Sequence, residues 1–304
     1  MNSKTIRNML LLLITALIWG SAFVAQSEGG NALGPYTFNA IRSFIGTLAL
    51  LPLCFMNGIR SSKEKSGDTK TLWIGGVFCG LALAVASNLQ QLGLFLGSTP
   101  GKAGFLTACY IIIVPLLGLF FHRKCHLNIW VSVLIALIGL YLLCCKDDSL
   151  SFHLADLLLL GCALIFSIHI LIIDHFSPLV SGVRMSCIQF FICGLLSSLP
   201  MIFYEIPEIG IGSWLQLFGS QNAWTTLLYA GVMSCGVAYT LQIIGQEGVH
   251  PTIASLIMSM ESVFAVIAGW LILGDALSRR ELYGCILMFF AIVLAQLPLA
   301  TKKE

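Results

Sequence analysis

Ten long apolar stretches, separated by short polar breaks, decide what this chain can fold into. They cover 8–27, 34–57, 72–95, 101–121, 127–145, 154–174, 179–203, 223–245, 251–273 and 281–299. Each has about the 20 residues that an α-helix needs to cross the hydrocarbon of a bilayer. Several breaks carry Gly or Pro, as in "GNALGP", "GSTPGK", "HFSPLVSG" and "GQEGVHP", and the longest are "NGIRSSKEKSGDTKT" and "EIPEIGIGSWLQLFGSQN". Hydrophobic residues make up 58% of the chain and charged residues 10%, where a soluble domain carries about 25% charge. No soluble core of this size could hide so much apolar surface. The expectation is an all-α integral membrane protein of ten transmembrane helices, with the lipid bilayer as a partner.

The opening "MNSKTIRNMLLLLITALIWGSAFVA" starts basic. Its apolar run is too long for a signal-peptide core and lacks a small-residue cleavage site, so it reads as the first span. Lys and Arg set the orientation. With the N-terminus in the cytoplasm, Lys4, Arg7, Arg60, Lys63, Lys65, Lys70, Arg123, Lys124, Arg184, Lys302 and Lys303 fall on the inner side. Lys102, Lys146, Arg279 and Arg280 fall outside, and Arg42 lies inside a span. The bias predicts a multi-pass protein of the cell membrane with both termini cytoplasmic.

Other function classes are disfavoured. The basic residues form no patch with interleaved aromatics, so nucleic acid is not an expected partner. The 11 cysteines lie almost entirely inside apolar segments, with no zinc spacing. They read as small apolar residues, with no metal or cofactor implied. There is no GxxxxGK[ST], HExxH or GxSxG, so neither ATP-driven pumping nor an enzyme activity is expected.

The chain also repeats itself. "ITALIWGSAFVAQ" (14–26) matches "GCALIFSIHILII" (161–173) at an offset of 147, as "AIRSFIGTLALLP" does "CIQFFICGLLSSL". Further on the offset is 151: Trp73 meets Trp224, Gly80 meets Gly231, Gln91 meets Gln242, and Pro100 meets Pro251. Two halves follow, 1–146 and 147–304, with five spans each. An odd span count turns the second half upside down. Inverted repeats are the architecture of secondary transporters, whose substrate site lies near the midplane between the halves.

"ALIWGSAFVAQ", "GPYTFNAIRSFIGTLALLP", "ASNLQQLGL", "GKAGFLTACYIIIVPLLGL" and "PTIASLIMSMESVFAVIAGWLILGDALSRRELYGCILM" resemble the drug/metabolite transporter superfamily, EamA branch. Trp19-Gly20, Pro35, Arg42, Asp275 and Gly284 match the family pattern. The resemblance implies ten helices with both termini inside. It also implies a central cavity lined by spans 1–4 and 6–9, peripheral spans 5 and 10, and alternating access, commonly exporting small metabolites. Phe166-Ser167 depart from the pattern, as do Ser262, where many relatives have a kinking proline, and His122-Arg123-Lys124, where an acidic residue is typical.

Charged and polar residues inside the spans mark the candidate site, because a charge at the bilayer centre costs about 2.5–3.5 kcal/mol and turns toward protein or water. Glu261 lies at mid-span with Ile257, Met258, Phe264 and Ala265 as helical neighbours, so its partner must come from another helix. Arg42 is the only basic residue well inside a span, with Asn39 and Gly46 on its face. An Arg42–Glu261 ion pair is the cheapest arrangement for both. It serves either as a structural tie or as a contact for substrate or a coupling proton.

Ser87, Asn88 and Gln91 share a face of span 3, with Gln90 beside it; Tyr239, Gln242 and Gln246 share a face of span 8. Pointed at a common axis, they make a hydrogen-bonding cavity wall; the alternative is helix-to-helix glue. Trp19, Gln26, Thr107 and Tyr110 could complete the wall, and Met258, Met260 and Phe264 its apolar side. His169 lies deep in span 6, as a structural residue or a proton relay; it and Glu261 are the coupling candidates.

One acid, one base and several amides suit a zwitterionic or neutral polar solute, such as an amino acid or nucleobase. An organic cation held by Glu261 is the alternative substrate, and a non-transporting scaffold the alternative from another class.

Overall fold

The computed structural model describes residues 3–60, 69–98, 100–120, 127–144, 153–268 and 278–296. Nearly all of them are helical, and no strand occurs among them. The first half holds α1 (Ser3–Leu33), α2 (Pro35–Arg60), α3 (Thr69–Phe95), α4 (Pro100–Ala108), α5 (Tyr110–Phe120) and α6 (Leu127–Cys144). The second holds α7 (Leu154–Phe176), α8 (Gly182–Pro200), α9 (Ile206–Ile209), α10 (Ile211–Gln216), α11 (Gln221–Leu228), α12 (Tyr239–Gln246), α13 (Pro251–Met258), α14 (Glu261–Ala268) and α15 (Arg279–Gln296).

Among the described residues, seven helical segments are long and apolar enough to cross a membrane, while Leu127–Leu143 and Pro251–Ile267 are shorter apolar ones. α15 begins Arg279-Arg280-Glu281, three charges that precede its apolar run. Large apolar side chains cover the outside: Phe55, Phe120 and Phe203 are exposed by 70%, 81% and 69%. On a soluble protein such faces would drive aggregation. In a bilayer they meet lipid, while each helix satisfies its own backbone.

Local chemistry sets the boundaries. α1 runs past the expected 8–27 at both ends and stops at Gly34, whose φ of +88° reverses the chain. Pro35 then opens α2 at the position where a missing N–H costs nothing. The break at 204–222, read as a loop, instead holds α9 and α10 with exposed Ile211 and Leu215.

Two expected spans are interrupted. α4 gives way to α5 at Cys109, and α13 to α14 at Ser259-Met260. Ser262 therefore stands in a broken helix although no proline is present. Ser255 and Ser259 donate back to the carbonyls of Thr252 and Leu256, both at 2.8 Å, and such back-bonding competes with the helical ladder. A third irregularity is the π-wound stretch Tyr229–Ala238 between α11 and α12. Broken and π-wound turns concentrate at functional sites.

The halves interlock. The most extensive contacts are α6 with α15, α3 with α7, and α2 and α3 with α8, all between the halves of the sequence. Lys102 on α4 adds an ion pair to Asp156 on α7 at 2.8 Å. Gly284 lies against the α6 backbone at Gly139. Asp275, Gly269, Cys145, Lys146, Lys63, Lys65, Lys302, Lys303 and the 122–124 triplet lie outside the described residues.

Candidate functional site

A central cavity lies where both halves of the sequence meet. α1 contributes Trp19 and Gln26, α2 Arg42, α3 Gln90, and the α4–α5 pair Thr107 and Tyr110. From the second half come Phe166 and Ile170 of α7, Ser234 of the π-wound stretch, and Tyr239 and Gln242 of α12. Met258 and Glu261 flank the α13–α14 break. α8 lines no part of it, unlike the pattern that the family resemblance implies. α6 and α15 also stay outside.

Trp19 is brought there by its neighbour. A Cβ on Gly20 would sit 2.5 Å from the Glu261 carbonyl oxygen, so only glycine lets α1 press against α14 here. The Trp19 ring stacks at a tilt on Tyr239, centroids 4.6 Å apart. The wall is also under-bonded: Trp19 Nε1 and Gln242 Oε1 are buried without a hydrogen-bond partner among the described residues. Buried polar groups are rarely left so, and both belong to residues of the cavity wall.

The charges depart from expectation. Arg42 and Glu261 are 6% and 5% exposed and line the same cavity, yet no ion pair joins them. Each side chain has another partner. Glu261 Oε1 accepts a 3.5 Å hydrogen bond from the Tyr110 hydroxyl. The Arg42 guanidinium lies over the Phe38 ring, 5.3 Å from its centre, a cation–π contact. One acid and one base thus share a partly polar space without neutralising each other.

Of the residues singled out from the sequence, Trp19, Arg42, Tyr110, Tyr239, Gln242, Met258 and Glu261 converge on the cavity. Asn39, Asn88, Gln91 and His169 do not. Asn39 Nδ2 donates to Asn88 Oδ1 at 2.9 Å and to the Ser87 carbonyl at 3.0 Å. Asn88 Nδ2 donates to Ser197 on α8 at 2.9 Å, and Gln91 Nε2 to the Gln26 carbonyl at 2.9 Å. These amides bind helix to helix. Gln90, one residue round the α3 face, reaches the cavity instead and donates to Thr107 Oγ1 at 3.4 Å. His169 turns away from it, with Nε2 3.1 Å from Gln189 Oε1 on α8. Met260 is in the packed core and Phe264 packs against it.

Phe166, Ile170 and Ser234 complete the lining without having been read as a wall. Phe166 and Ile170 are ordinary apolar span residues, and Ser234 depends on π winding, which leaves no pattern in the sequence.

The model of the EamA-like transporter family matches this chain over residues 6–145 and 153–297. An uncharacterized transporter of Archaeoglobus fulgidus is 28% identical over 287 residues, 94% of this chain and 84% of that protein. The uncharacterized transporter YoaV of Bacillus subtilis is 23% identical over 307 residues, 98% and 99% of the two chains. A solved crystal structure of a protein superposes with a TM-score of 0.76 over 95% of this chain and 96% of that one, at 17% identity, a likeness of fold.

Proposed function

The chain belongs to the EamA-like transporter family, and from that premise we propose that it is a secondary-active transporter of a small polar or amphipathic metabolite, of amino-acid or nucleobase type. Residues 1–146 and 147–304 act as two inverted five-helix repeats. They form ten spans in the cell membrane with both termini cytoplasmic, and they rock about the central cavity to export the solute. Glu261 is the coupling group, with a proton as the candidate ion.

The observation that carries this reading is the unpaired acid and base in one cavity. A permanent ion pair would be a structural tie. Two unpaired groups instead leave each free to take a solute group: an ammonium at Glu261 and a carboxylate at Arg42. The donor at Trp19 and the acceptor at Gln242 add hydrogen bonds. Trp19, Tyr239 and Phe166 offer a ring-lined wall for the solute's apolar part. The interrupted helices α4–α5 and α13–α14 fit the discontinuous spans on which secondary transporters build their sites.

The test is charge movement on a solid-supported membrane carrying the purified protein in proteoliposomes. Amino acids, nucleobases and quaternary amines are applied with and without a pH gradient. A current evoked by amino acids or nucleobases supports the reading. Response to quaternary amines alone would assign the site to organic cations. Silence across the panel, in charge movement and in isotope counterflow, would overturn it.

A further inference from the structure

α12 carries Tyr239, Gln242 and Gln246 at i, i+3 and i+7, on one helical face. Tyr239 and Gln242 line the cavity. Gln246 lies one turn further on, only 1% exposed, and neither Oε1 nor Nε2 finds a hydrogen-bond partner among the described residues. A buried carboxamide with nothing bonded to it destabilises the fold. A leucine there would avoid that, so the amide has no evident structural use.

Just beyond Gln246, α1 meets the end of α12. Lys4 Nζ meets the Glu247 carboxylate at 2.8 Å, and Asn8 Nδ2 donates to the Glu247 carbonyl at 2.6 Å. A Cβ on Gly245 would sit 2.9 Å from the Asn8 carbonyl oxygen, so α1 and α12 touch backbone to backbone. The Gly245 and Glu247 contacts to α1 thus flank the unbonded amide in sequence.

We infer that Gln246 is a second hydrogen-bonding station on the solute path, between the central cavity and the end of the bundle that carries Lys4, and that the α1–α12 contact at Asn8 and Glu247 is the gate over it. The inference rests on the transport reading. The carboxamide offers one acceptor and two donors to uncharged polar groups of a passing solute. Its isolation in the closed gate is the state between passages.

Two readouts test this without knowing the solute. Gln246→Cys and Gln90→Cys are made in the full chain in proteoliposomes and exposed to a membrane-impermeant methanethiosulfonate, with the unsubstituted protein as background. Labelling of Gln246→Cys is expected to exceed background and to quicken about tenfold when Lys4→Ala and Asn8→Ala together loosen the gate, a change that the loss of an exposed ion pair and a neutral hydrogen bond can jointly produce. Gln246→Leu is expected to melt at or above the unsubstituted protein. Labelling of Gln90→Cys but never of Gln246→Cys would overturn the station and leave the cavity reading intact. Labelling of neither would overturn both. A Gln246→Leu protein that melts several degrees lower would show the amide to be structural, and overturn the inference even if Gln246→Cys fails to fold.

Discussion

Tyr110 and Glu261 stand 151 residues apart in the sequence and meet at a 3.5 Å hydrogen bond. The same offset pairs Gln91 with Gln242 and Pro100 with Pro251. Each of the two opens the segment after a helix break, Tyr110 in α5 and Glu261 in α14. At the long limit of hydrogen bonding, the contact orients the carboxylate and yields readily to a better partner.

Tyr110→Phe and Glu261→Gln should therefore differ. The first removes a weak bond worth roughly 1 kcal/mol, about fivefold in rate. The second removes the acid itself, and transport should be lost while the protein still folds. Counterflow rates with matched melting curves decide this; equal losses in the two variants would contradict it.

Arg42 and Glu261 should be energetically independent in the resting protein. A double-mutant cycle of Arg42→Gln and Glu261→Gln on thermal stability in detergent should give a coupling below about 0.5 kcal/mol, as for groups not in contact. A coupling near the roughly 3–5 kcal/mol lost on breaking a buried pair would restore the ion pair.

Gly20 should not tolerate a side chain. Its Cβ would lie 2.5 Å from the Glu261 carbonyl oxygen and 2.9 Å from the Ala265 nitrogen. Gly20→Ala should destabilise by about 1–3 kcal/mol, as overpacking does, and should weaken transport by displacing α14. An unchanged melting temperature would show that α1 and α14 separate freely.

Glu205 should hold the start of α2. Its carboxylate accepts from Tyr36 N and Thr37 N, both at 2.7 Å, and from Thr37 Oγ1 at 2.6 Å. An acceptor at a helix N-terminus satisfies amides that the helix cannot. Glu205→Ala should cost about 1–3 kcal/mol and Glu205→Gln less. Equal stability of all three proteins would contradict the cap.

Much of this was legible in the sequence, for physical reasons. Apolar runs locate helices, and α3 was expected at 72–95 and runs Thr69–Phe95. The depth of Glu261 and Arg42 in apolar spans pointed to a shared polar space, because lipid leaves charges no other place. Side-chain direction was less legible. Asn88 and Gln91 share one face of a helix with Gln90 beside it, and only tertiary packing decides which reaches the cavity. The Arg42–Glu261 pair does not form: Arg42 lies over Phe38, one turn back on its own helix, and Glu261 meets Tyr110. Glu205 lay in a segment read as a loop, so its reach across to α2 had no local signal.

The most direct test is isotope counterflow in proteoliposomes, with the evoking solute from the current screen, comparing the unsubstituted protein with Glu261→Gln at equal incorporation and melting temperature. The account predicts rapid exchange in the first and none above empty liposomes in the second. Undiminished exchange by Glu261→Gln would mean that the solute passes without the acid at the cavity, and the proposed site would fall.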